Sequence, residues 1–211
     1  WDIEALVSGL GDSYKIMECG MKAFPTEALT HTHLSCLLNA MIGNNLDYTD
    51  IQEVKVTCFA QAYDILFDPT KYRPESRETA DHSLPYCMAA AMVDKKITTD
   101  SFSDEKLKDP RIFEVIDKIK GEPSQEFEKM FPAKQPSKVV VTTNDGRQFE
   151  EYLEYPKGDP REPMTMDDLE NKFNSLAGNK INSNKLNLLK NLIFNCENIS
   201  SVNFMSQLVI D

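Results

Sequence analysis

Residues 138–155 read KVVVTTNDGRQFEEYLEY. Two β-prone runs, Lys138–Thr143 and Arg147–Tyr155, flank Asn144-Asp145-Gly146. Asn, Asp and Gly tolerate the positive φ that a tight connection needs, so the segment predicts a β-hairpin. Downstream the pattern changes. Tyr155 to Pro163 is a connector with Pro and Gly, and only helical spacing follows it. Thr165 is expected to cap a helix carrying Met166, Leu169, Phe173 and Leu176 on one stripe, with Asp168 completing a capping box. Ser183 is expected to cap the next helix, with Leu186, Leu189 and Ile193, and residues 201–209 read as a last short one. The predicted class is α+β. A sheet with packed helices fills residues 1–163, and a C-terminal helical segment fills 164–211.

Upstream of the hairpin, residues 1–10 read as a short helix ended by Gly11, and Tyr14–Lys22 as a strand broken by Pro25. Thr26–Ile42 predicts a helix with Leu34, Leu37, Leu38 and Met41 at helical spacing, stopped by Gly43-Asn44-Asn45. Ile51–Phe67 is rich in β-branched and aromatic residues and predicts one long strand. Asp68–Glu78 is a polar loop. A helix starting near Ser83 carries Leu84, Cys87, Met88, Ala91 and Met92 on one face. Residues 98–120 hold one or two short helices, the second opening at Pro110, and Gln125–Phe131 reads as a strand.

The 211 residues hold 23 Lys and Arg against 34 Asp and Glu, a formal charge of −11. Phosphate contacts need clustered cations, so nucleic acid is a poor partner for so acidic a chain. A cationic membrane-surface role is disfavoured for the same reason. A ligand with several carboxylates needs a local positive patch set against this background. The five cysteines (Cys19, Cys36, Cys58, Cys87, Cys196) are odd in number, scattered and free of any CxxC. That favours reduced thiols in a cytoplasmic protein over a disulfide framework. No run approaches the ~18 apolar residues of a membrane span, and no signal peptide opens the chain. Its first residue is Trp1 in an already helical pattern, so it reads as beginning inside a larger protein.

The three histidines fall in two places. His31 and His33 follow Lys22-Ala23-Phe24-Pro25, and His82 lies in Arg77-Glu78-Thr79-Ala80-Asp81-His82-Ser83-Leu84-Pro85-Tyr86. Histidine is the natural acid–base group near neutral pH, although three histidines are as readily surface or core residues. Pro85 is best tolerated in a first helical turn, which makes Ser83 the N-cap and places Asp81-His82-Ser83 where free N–H groups favour anions. Tyr86 is expected on the side away from Leu84, Met88 and Ala91. Lys22 ends the expected strand, where a lysine can bind a carboxylate or, if desolvated, move protons. Lys157-Gly158-Asp159-Pro160-Arg161 resembles an anion loop, but connectors of this composition are usually only connectors. A Gly-rich phosphate loop, HExxH, GxSxG and the cysteine spacing of an iron–sulfur site are all absent.

Taken together these segments resemble the MmgE/PrpD family of 2-methylcitrate dehydratases. Lys22-Ala23-Phe24-Pro25 with His31 is similar to its Lys-x-aromatic-Pro…His motif, and RETADHSLPY over Arg77–Tyr86 is close to the form in its MmgE-like branch. Asp145-Gly146, then Tyr155-Pro156-Lys157-Gly158-Asp159-Pro160, Pro163-Met164-Thr165 and Lys172-Phe173 resemble a further signature. Order and spacing agree over most of residues 10–175. The resemblance implies the C-terminal portion of such an enzyme: the smaller α+β domain and helices returning to a larger helical domain. It implies a cytoplasmic hydro-lyase of propionate metabolism, the methylcitrate cycle, acting on a small tricarboxylate with no metal and no cofactor. Lys22 and His82 are its expected catalytic residues, with His31, Arg77, Ser83 and Tyr86 expected to bind substrate. A homodimer is expected, and little activity in this chain alone. An isomerase or epimerase, a cis-aconitate decarboxylase, or a non-catalytic dimerisation domain are the alternatives. The decarboxylating branch uses a tyrosine from the strand before the His82 segment, and the region near Phe67 offers no clear match.

Overall fold

The computed structural model describes residues 2–178 and 180–203. It divides into two compact units, Trp1–Pro163 and Met164–Asp211. The first is an α+β unit. In chain order it holds α1 (Glu4–Val7), α2 (His31–Gly43), β1 (Ile51–Cys58), α3 (Ala60–Leu66), α4 (Arg77–Asp81) and α5 (Leu84–Asp94). It continues with α6 (Pro110–Val115), β2 (Ile119–Pro123), α7 (Gln125–Met130), β3 (Ser137–Thr143) and β4 (Gln148–Leu153).

The sheet order is β2-β1-β3-β4. β1 runs parallel to β2 and antiparallel to β3, and β3–β4 is the expected hairpin. Gly146 takes φ 85° at its turn, and its N–H donates to the Thr143 carbonyl at 2.8 Å. Along β3, Ser137, Val139, Val141 and Thr143 are buried in strict alternation, as a strand with one covered face requires. α2 packs against β3 and β4 on that sheet, and α5 against α2 and α6.

α5 is the centre of the unit. Ser83 caps it, its Oγ accepting from the Tyr86 N–H at 3.0 Å, and Pro85 sits in the first turn. Every residue from Leu84 to Met92 is buried. A helix apolar all round belongs in a core, so the expectation that Tyr86 leaves the apolar face is corrected: Tyr86 is 0% exposed.

Other departures have local causes. The run Ile51–Phe67 is not one strand, because pairing stops at Cys58 and α3 begins at Ala60. The expected strand Gln125–Phe131 is instead helical over Gln125–Met130, with Ser124 capping the Phe127 N–H and Glu126 and Glu128 in the first turn, where acids favour the helix dipole. Tyr14–Lys22 forms a short 3-10 turn at Lys15–Glu18 rather than a strand. The unexpected strand is β2. Its Gly121 lies under the Phe67 ring, where an added Cβ would meet ring carbons at 2.6 Å. Glycine inside a strand often marks such a close approach.

The second unit contains α8 (Met166–Ala177) and α9 (Ser183–Phe194). Thr165 and Asp168 form the expected reciprocal cap of α8. The cap of α9 is Asn182 rather than Ser183, its Oδ1 accepting from the Lys185 N–H at 3.0 Å. Lys190 of α9 pairs with Glu170 of α8 at 3.1 Å. Of the helix expected over residues 1–10 only Glu4–Val7 forms, Trp1 lying outside the described residues. The helix expected over residues 201–209 lies, from 204 on, outside the described residues as well. Among the described residues no helix is long and apolar enough to cross a membrane.

Candidate active site

Lys22 is placed by a contact distant in sequence. The Met21 N–H donates to the Gly158 carbonyl at 2.8 Å, and the Gly158 N–H to the Glu162 carbonyl at 2.7 Å. Gly158 adopts φ 94°, a conformation open to glycine and costly for other residues. Opposite it, a Cβ on Gly20 would approach the Gly158 carbonyl oxygen to 3.1 Å. The loop is braced by Arg161, which donates from Nε and Nη2 to Asp159 at 2.7 and 2.8 Å and from Nη1 to the Ala133 carbonyl at 2.7 Å. Its guanidinium also lies 4.0 Å from the centroid of the Tyr155 ring. The hydrogen bonds from Arg161 hold the Asp159 carboxyl below the usual carboxylate range. On this base Lys22 donates from Nζ to the Thr26 carbonyl at 2.9 Å.

His82 ends α4. Its Nδ1 lies 2.5 Å from Asp81 Oδ1 and 3.1 Å from the Glu78 carbonyl. A ring nitrogen held by a carboxylate leaves Nε2 as the nitrogen for exchange with a ligand. The His82 side chain is 51% exposed. The Asp81 carbonyl accepts from the Glu27 N–H at 3.0 Å, tying this corner to the segment after Lys22.

Two hollows meet at Lys22. The first, about 310 Å³, is lined by Lys22, Pro25, Thr26, Glu27, Ala28, Asp81 and His82. The two expected catalytic residues, remote in sequence, therefore share one cavity wall. The second, about 240 Å³, is lined by Gly20, Met21, Lys22, Ala28, His31, Gln135, Pro156, Lys157, Gly158 and Asp159. His31 is 2% exposed and sits 5.4 Å, centroid to centroid, from the Phe24 ring. Lys157, read in the sequence both within a connector and within the family-like stretch 155–160, lines this second hollow.

The remaining expected binding residues are placed elsewhere. Ser83 is 0% exposed; its Oγ donates to the Lys71 carbonyl at 2.5 Å besides capping α5. The Tyr86 hydroxyl donates to the Ser101 carbonyl at 2.8 Å, and burial pushes its pKa well up. Both are committed inside the fold, which corrects the expectation that they reach a ligand. Arg77 is exposed on α4 and lines neither hollow. His33 is a core residue, its Nδ1 2.6 Å from Ser137 Oγ, with burial driving its pKa down to about 3. Cys36 and Cys58 are buried thiols pushed up to about 12 by desolvation, which makes them inert. Among the described residues no group of three or more His, Cys, Asp or Glu is placed to hold a metal ion.

The MmgE/PrpD C-terminal domain profile matches residues 24–192. The cis-aconitate decarboxylase of Aspergillus terreus is 22% identical over 98% of this chain and 43% of its own length. That of Mus musculus is 26% identical over 64% of this chain and 28% of its own. A cis-aconitate decarboxylase-like protein of Aspergillus oryzae is 30% identical over 65% of this chain and 28% of its own. The chain thus spans less than half the length of these relatives.

Proposed function

The chain belongs to the MmgE/PrpD family, and from that premise we propose that it is the C-terminal part of a cofactor-independent lyase acting on a small tricarboxylate. The observation that carries the reading is the shared hollow of Lys22 and the Asp81–His82 pair. The reaction we assign is dehydration of 2-methylcitrate. A proton leaves the carbon next to a carboxylate, hydroxide leaves the neighbouring carbon and takes up a proton, and an aconitate-type alkene and water result. Such a proton is weakly acidic beside an ionised carboxylate, so the site must neutralise charge as well as move the proton. Lys22 supplies the cation beside the reacting carbon. His82, oriented by Asp81, hydrogen-bonds a substrate carboxylate. The principal base, and the acid for the leaving hydroxyl, we assign to the remainder of the enzyme, since this chain spans 43% of the fungal relative.

Decarboxylation of cis-aconitate is the second reading, supported by the names of the relatives. Both reactions build negative charge on a carbon next to a carboxylate, so one Lys22–His82 arrangement serves either. The setting we propose is cytoplasmic, consistent with five unbridged cysteines. We also propose a homodimer. Met166, Leu176, Leu188, Ile193 and Phe194 of the second unit are about half exposed, an apolar face that a second copy or the larger helical domain would cover. The test is NMR of the complete enzyme supplied in turn with 2-methylcitrate, citrate and cis-aconitate. Loss of the methylcitrate signals with growth of an alkene product supports dehydration. Itaconate from cis-aconitate alone would move the assignment to the second reading, and no turnover of any would defeat the lyase reading.

A further inference from the structure

We propose that the second hollow is an anion seat in which Lys157 binds one carboxylate of the ligand, so that the ligand straddles Lys22 and carries its reacting carbon toward His82. The class of ligand rests on the lyase reading above; the seat itself rests on charge and geometry.

The two hollows differ in sign. Around the first, Lys22 faces the carboxylates of Glu27 and Asp81 beside His82. Around the second, Lys22 and Lys157 are the cations, and the carboxylate present, Asp159, is held by both arms of Arg161. In a chain of net charge −11 a polyanion needs cations clustered near its binding place, and Lys22 and Lys157 supply two. Lys22 alone cannot neutralise several carboxylates of one ligand. The hollows share Lys22 and Ala28, so a ligand with carboxylates on neighbouring carbons can reach both.

The seat is also preorganised. Lys157 precedes the glycine whose carbonyl holds Met21 and whose positive φ shapes the turn. Arg161 fixes that turn to Asp159, Ala133 and the Tyr155 ring. A cation on a braced loop loses little freedom when it binds, which is how affinity is gained without added area. The nearly buried His31 closes the inner wall, and a low-dielectric wall strengthens a charge-assisted hydrogen bond.

The test is calorimetric binding of tricarballylate, a tricarboxylate with no hydroxyl to lose, to the complete enzyme. Lys157→Met should weaken binding by about tenfold or more, the usual size of one charge-assisted contact. Lys157→Arg should stay within about threefold of the parent, because it keeps the cation. Lys120→Met, at an exposed residue of β2 that lines neither hollow, should leave affinity unchanged, which separates the seat from overall charge. Wild-type enzyme that fails to bind tricarballylate, Lys157→Met that binds as tightly as wild type, or an equal loss in Lys120→Met would each overturn the seat. Turnover of 2-methylcitrate and cis-aconitate is read in the same preparations. Loss of binding in Lys157→Met without wild-type turnover sinks the lyase reading and keeps the seat. Turnover with undiminished binding in Lys157→Met does the reverse.

Discussion

The first hollow joins two separate segments, Lys22–Ala28 and Asp81–His82, each bonded mostly within itself. His82 takes its bonds from Asp81 and Glu78 on its own five-residue helix, and Glu27 accepts from the Leu29 N–H two residues on. The second is built from pieces far apart, with Gly20–Lys22 stitched to Gly158 and the loop anchored on Ala133. The chemistry-bearing histidine therefore sits on a short, half-exposed element that can adjust, whereas the charged wall opposite is braced. Lys22 belongs to both, held by the long-range stitch and lying over the local corner.

The strongest way to break the comparison is Lys22→Ala, which removes the shared member. In the complete enzyme turnover should fall by about a hundredfold or more, the usual loss for one positioned charge or proton-transfer group. Lys22 is exposed and donates to the Thr26 carbonyl four residues on, so the melting temperature should hardly move. Normal activity would reduce Lys22 to a solvated surface residue. His82→Ala touches the first hollow alone. It should raise KM by about tenfold, the cost of one anion contact, and an unchanged KM with turnover collapsed would make His82 an acid or base instead.

His33 sharpens the contrast between histidines in the site and in the core. Its folded pKa is depressed from 6.5 to about 3 by burial. Below pH 6.5 the unfolded chain takes up a proton that the folded chain refuses. Its contribution to stability is thus complete above about pH 6.5 and is lost as pH falls toward 3, at about 1.4 kcal/mol per pH unit. Urea titrations between pH 7 and 4 should show that slope in the parent and a flatter one in His33→Asn. Equal slopes would mean that other groups govern acid unfolding. The smallest effect belongs to Tyr86→Phe. Loss of the bond to the Ser101 carbonyl should cost about 1 kcal/mol and leave KM alone, because the hydroxyl is enclosed in the core. A KM that rises with little change in stability would return Tyr86 to the site.

Elements whose signals are local were legible in the sequence. The Asn144-Asp145-Gly146 turn, the Ser83 cap with Pro85 and the Thr165–Asp168 box each announce a structure within a few residues. The Lys22 motif and the His82 segment were legible as motifs, but not the hollow that joins them, because that depends on the Glu27–Asp81 contact. β2 was illegible because its five residues include a glycine and a proline, and its place comes from parallel pairing with the distant β1. Tyr86 was misplaced because one apolar face was sought on a helix that has no polar side until Asp94. That Lys157 lines the second hollow was not legible, because its loop is placed by the distant bond from Met21 to Gly158.

The bond from Met21 to Gly158 also orders events in time. A ribosome delivers Lys22 well before Gly158, and loop closure over so long a stretch is slow compared with forming α2 or α5. The sheet has the same habit, since β1 must wait for β2 and then β3 before it is paired on both sides. Lys22 thus spends the whole synthesis of the first unit unpositioned, and the connector after the hairpin is the piece that finally sets it. Maturation of the site is coupled to completion of that unit, so a chain released before residue 158 would carry the motif residues without the geometry that makes them a site.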